Sequence, residues 1–79
     1  MMNQCIVNVI EKTVFIVFTQ IVKTGQIEVC SMNGSINSIV KKEIKNTNST
    51  SFNTKAKRGK YKLDIKIDNQ QITKFININ

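Results

Sequence analysis

"KRGKYKLDIKID", residues 57–68, is the stretch on which the fold turns. From Lys60 to Asp68 charged and apolar residues alternate without a break. Lys60, Lys62, Asp64, Lys66 and Asp68 fall on one side, and Tyr61, Leu63, Ile65 and Ile67 on the other. Successive side chains of a strand point to opposite faces, so this period of two puts the apolar set on one face of a sheet. Gly59 stands just ahead of it. A lone glycine before a regular strand marks a bulge or a backbone position with positive φ. The stretch therefore predicts a half-buried strand that turns sharply into a sheet, with Tyr61 the first residue on its buried face.

Working outward, the rest of the chain carries the same signature. Residues 5–10, "CIVNVI", read as a short first strand. In "TVFIVF", residues 13–18, Val14, Ile16 and Phe18 face one way and Phe15 and Val17 the other. A strand apolar on both faces is expected to be central or covered by a second layer. "QIEVCSM", residues 26–32, alternates again and leads into Asn33-Gly34, a pair suited to a type I′ hairpin turn. Residues 35–44 are ambiguous: Ile36, Ile39, Val40 and Ile44 also line one face of a helix, but the preceding turn favours a strand. Residues 45–57 are rich in Asn, Ser, Thr and Lys and read as a loop with one short strand around Phe52. "DNQQ", residues 68–71, is a second turn, and Ile72, Ile76 and Ile78 share a face with Lys74 in a last strand. Six or seven strands at roughly ten-residue spacing predict an all-β fold, a small antiparallel sandwich or barrel. No internal repeat or linker divides residues 1–79, which read as a single domain.

Composition narrows the chemistry. The chain has 79 residues, a formal charge of +7, no histidine, no proline and two cysteines. Without histidine the commonest general base and metal ligand is missing, and the Ser and Thr hydroxyls have no imidazole to activate them. Asp64 and Asp68 lie on the outward face of one strand, about 13 Å apart at a strand's rise. That spacing exceeds the separation of paired glycosidase carboxylates. They read as a solvated face alternating in sign with Lys62 and Lys66. Gly25, Gly34 and Gly59 are far apart, read as turns and cradle no phosphate. No catalytic, cofactor-binding or metal site is therefore expected.

Cys5 and Cys30 are too few for a disulfide framework and too far apart for a CxxC motif. Two free, at least partly buried thiols are the favoured reading, with a single pairing as the alternative. The charge suits a polyanionic partner, yet only Lys55, Lys57, Arg58, Lys60 and Lys62 cluster, and aromatics do not interleave with them. Nucleic acid is thus disfavoured. Glu11, Lys12, Asn8 and Gln20 interrupt the apolar N-terminal stretch, so it predicts neither a spanning helix nor a signal peptide.

With the strands placed, a family pattern emerges. "GQIEVCSMNGSI", residues 25–36, resembles a hairpin of the form xxIxVYDxxGxxV. "FNTKAKRGKYKLDIKIDNQQITKFINI", residues 52–78, resembles xxLxxGxYxLxIxxxxxxxxxKxIxI. With "TVFIVF" as the preceding xxIxF strand, residues 8–78 resemble the C-terminal sorting domain of the Bacteroidetes type IX secretion system. Small stand-alone secreted sandwiches of that phylum share the pattern. The chain departs from it at Asn8, which lacks flanking prolines, and at Cys30 and Ser31, where the pattern has an aromatic and an acid.

The resemblance implies a small immunoglobulin-like β-sandwich, secreted or at the cell surface, that acts by recognition rather than catalysis. Its partner would be a protein of the secretion machinery or the cell surface, and its recognition residues Gly59, Tyr61 and Lys74. Such domains normally follow a cargo domain, so the chain would then be a fragment without its cargo, a decayed gene, or a fold relative with another job. From the residues alone, Gly59 serves the turn, Tyr61 the core and Lys74 is a solvated charge. The alternative is a stand-alone interaction or structural sandwich that uses "TVFIVF" or an open sheet edge to pair with a partner.

Overall fold

A computed structural model describes residues 3–32 and 38–79, and among them all regular structure is strand. The elements are β1 (Cys5–Ile10), β2 (Thr13–Ser31), β3 (Ser38–Asn53), β4 (Gly59–Ile67) and β5 (Gln70–Ile78). Every pairing is antiparallel, and all five belong to one sheet. The all-β antiparallel expectation holds. The strands are fewer and longer than the turn signals suggest. Residues 13–18 and 26–31 fall on one strand, β2, which continues through Gly25. Residues 38–44 and Phe52 are parts of β3, so most of the polar stretch read as a loop is strand. It can be polar because β3 hydrogen-bonds β2 along its length while alternate side chains stand in water. The Asn33-Gly34 turn and residues 35–37 lie outside the described residues.

Two tight turns set the registers. Ile10 pairs with Thr13 across Glu11-Lys12, where Glu11 has φ 56°. Ile67 pairs with Gln70 across Asp68-Asn69, with φ 45° and 68°. Positive φ at both central residues is the type I′ geometry, which Asp and Asn tolerate. Asp68 is therefore a turn residue and not the end of a solvated strand face. Its carboxylate accepts the backbone N–H groups of Lys23 and Thr24 at 3.1 and 3.2 Å, pinning the β4–β5 turn to β2.

β2 organises the molecule. One of its edges carries β3 throughout; the other carries β1 along residues 13–18 and β4 along residues 25–31. From Val17 to Val22 β2 advances five residues while its partner moves only from Ser49 to Thr47. The surplus on β2 is a bulge, and bulges bend a strand. The buried set changes parity across the bend, from Val14, Ile16, Phe18 and Val22 to Ile27 and Val29.

Asn3 closes the bend. Its Oδ1 accepts the Gln20 N–H and the Thr19 hydroxyl, both at 3.0 Å, and its Nδ2 donates to the Gln20 carbonyl at 3.1 Å. Its own backbone N–H and C=O pair with the Gln70 side-chain amide at 3.0 and 2.6 Å. One buried asparagine thus joins the start of β1, the bulge of β2 and the start of β5.

The inner face holds a single cluster, including Val14, Ile16, Ile27, Val29, Leu63, Ile65 and Ile78. Leu63 and Ile65 are fully buried and Tyr61 half-buried, as the alternation of residues 60–67 predicts. No helix is present among the described residues to cover these side chains, so the sheet curls over its own inner face. Each such large side chain contributes about 1.5–3 kcal/mol by leaving water.

Candidate interaction surface

The two halves of the curled sheet differ on their outer faces. Over the second half the register aligns Gln26 and Glu28 of β2 with Lys66 and Asp64 of β4, and with Glu43 and Lys41 of β3. This face is mostly charged, with Phe75 of β5, 68% exposed, beside Lys62. Lys62 Nζ lies 3.4 Å from Asp64 Oδ2, Lys41 Nζ lies 3.9 Å from Glu28 Oε2, and the Thr73 hydroxyl donates to Asp64 Oδ1 at 2.9 Å. Burial alone would raise the Asp64 pKa, but the Thr73 hydroxyl and the Lys62 charge outweigh it and hold the carboxyl below its ordinary value.

Over the first half the register aligns Ile6, Asn8 and Ile10 of β1 with Val17, Phe15 and Thr13 of β2, and these with Ser49, Ser51 and Asn53 of β3. None of these nine residues is charged. Ile6 is 65% exposed, Ile10 62%, Val17 51% and Phe15 39%. Of the two expectations for residues 13–18, central or covered, the covering layer is not found among the described residues: Phe15 and Val17 face out and are partly exposed. β2 is central there in the other sense, flanked by β1 and β3. Alternation alone could not show this, because a second apolar face looks the same in sequence whether it is covered or bare.

The recognition residues implied by the resemblance lie on the β4–β5 hairpin. Gly59 pairs with Ile78, Tyr61 with Ile76 and Lys74 with Leu63. Gly59 has φ 154°, a backbone setting that suits glycine and matches its reading as an entry point to the strand. Tyr61 packs against the core, and its hydroxyl donates to the Lys57 carbonyl at 2.6 Å. Lys74 is exposed, close enough to Cys5 for its charge to favour the thiolate there.

The thiols are free and buried. Burial pushes both up, and at Cys30 the Glu28 carboxylate, 3.3 Å from Sγ, pushes the same way. Raised thiols are protonated at neutral pH and poor nucleophiles. Among the described residues no three His, Cys, Asp or Glu side chains gather as metal ligands, and no helix is long and apolar enough to cross a membrane. Comparison with protein-family models, with characterised proteins and with solved structures finds no match.

Proposed function

We propose that the protein is a non-catalytic recognition module that docks a protein partner on the outer face of β1 and β2. The observation that carries this reading is the contrast within one sheet. One half carries Glu28, Lys41, Lys62, Asp64 and Lys66 with Phe75 exposed among them, whereas the other presents four exposed apolar side chains and no charge. Interfaces are depleted of charge at their centres, and a chain of charge +7 can approach a second copy most closely where it carries none. Light scattering of the purified protein should show self-association rising with concentration, and Phe15→Lys with Val17→Lys should remain monomeric. A wild-type monomer throughout removes a second copy as the partner. A photo-cross-linking residue at position 15, compared with one at Thr73, then tests for a different protein.

The second reading is the sorting module with an immunoglobulin-like fold. Its support is that β2 bends so that two parts of the sheet enclose one core, and that Gly59, Tyr61 and Lys74 share a hairpin whose strand β5, among the described residues, pairs with β4 alone. Residues 8–79 fused behind a periplasmic reporter in a type IX-competent host should carry it to the surface. Retention in the periplasm counts against sorting and leaves the docking face untouched.

A further inference from the structure

A groove of about 850 Å³ opens between the two ends of β3. Ile39, Val40 and Lys41 line it from one end, and Asn53 with residues 54–57 from the other, near Tyr61. Residues 54–57 form no strand, yet they are firmly held. The Thr54 N–H and hydroxyl donate to the Lys12 carbonyl at 2.8 and 2.9 Å. The Ala56 N–H donates to the Thr54 hydroxyl at 3.2 Å, the Lys55 N–H to Asn53 Oδ1 at 2.8 Å, and the Tyr61 hydroxyl to the Lys57 carbonyl at 2.6 Å. Lys55 has φ 52°, a left-handed setting that the turn closed by Asn53 Oδ1 holds in place. Ala56 is buried, and Lys55 and Lys57 on either side of it are exposed. Among the described residues no carboxylate lines the groove, and Glu28, which pairs with Lys41, stands outside it.

We propose that this groove binds an extended acidic peptide in which carboxylates alternate with apolar side chains. The site is separate from the β1–β2 face and takes a different chemistry. An extended peptide repeats each face every two residues, about 6.6–6.8 Å. Lys55 and Lys57 both line the groove, on either side of the buried Ala56, and offer two cations to it. The carboxylates of such a peptide meet these lysines while its other face meets Ile39, Val40 and Tyr61. The charge of +7 steers acidic partners toward the protein. Among the described residues Tyr61 is the only aromatic lining the groove, so they offer no row of rings on which successive bases could stack.

Tyr61 is also the reporter, since the chain has one tyrosine and no tryptophan. An octapeptide of alternating valine and glutamate, titrated into the protein, should change its tyrosine fluorescence saturably, and more weakly as salt rises. Lys55→Gln with Lys57→Gln should weaken binding about tenfold. Lys41→Gln should weaken it less, and Lys23→Gln, outside the groove, should leave it unchanged. The proposal is overturned by any of four results: no saturable change, equal binding of a valine–lysine octapeptide, undiminished binding by the Lys55/Lys57 variant, or tighter binding of a single-stranded oligonucleotide that displaces the peptide. None of these variants alters the β1–β2 face, so the outcome is independent of docking there.

Discussion

A Cβ on Gly25 would lie 2.7 Å from Ile67 Cγ2, 3.1 Å from the Lys66 carbonyl oxygen and 3.2 Å from Ile44 Cγ1. The isoleucine methyl can shift, but the carbonyl belongs to the backbone of β4 and moves only with its strand. Gly25→Ala is therefore expected to destabilise by about 1–3 kcal/mol through overpacking. That exceeds the roughly 0.4–1 kcal/mol that a less flexible unfolded chain returns. Urea denaturation should show a lower midpoint with an unchanged slope. In sequence Gly25 reads as punctuation after Lys23-Thr24, because the side chains that demand it come from strands far along the chain. Gly59 was legible because its reason is local. Asp64 gives a second test at this scale. Its folded pKa is depressed, so its stabilisation is present above the unfolded value, near 3.9, and is lost as pH falls through the folded value. Asp64→Asn should lose stability less steeply than the wild type across that acid window in pH-dependent denaturation.

At the scale of elements, β4 and the long strands β2 and β3 were legible to different degrees. Residues 60–67 alternate perfectly and form the predicted strand, with Leu63, Ile65 and Ile67 buried. β2 was divided in the reading because its bulge breaks the period, and β3 because its Asn, Ser and Thr residues resemble loop chemistry. The bare face of β1 and β2 was half legible. Phe15 and Val17 were assigned to one side, but whether that side was covered depended on the curl. Among the described residues β3 pairs with β2 alone, and the backbone of its other edge is guarded. The Thr47 hydroxyl accepts the Ser49 N–H at 3.3 Å and donates to the Ser49 carbonyl at 2.9 Å, while Lys42 Nζ donates to the Ser51 carbonyl at 3.2 Å. Occupying these groups blunts an edge that another chain could otherwise extend. Thr47→Val with Lys42→Ala should aggregate faster than the wild type in a turbidity or thioflavin assay, and an unchanged rate would show that the edge is protected by other means.

For the whole molecule, the joint between Asn3 and Gln70 is the feature least visible beforehand. A lone asparagine ahead of an apolar run gives no sign that it will meet a glutamine 67 residues away. β1 and β5 approach one another without a hydrogen-bonded ladder, so this amide pair ties the two ends of the curl. Closing so long a loop is entropically demanding. The two tight hairpins are local, so they are expected to form before the amide pair, which needs the β4–β5 hairpin docked on β2. A contact absent from the folding transition state governs escape from the native state rather than arrival. In stopped-flow kinetics Asn3→Ala should therefore accelerate unfolding and leave the refolding limb in place. The protein's lifetime against proteases that attack opened chains would then be set by one small latch, not by the oily interior it encloses.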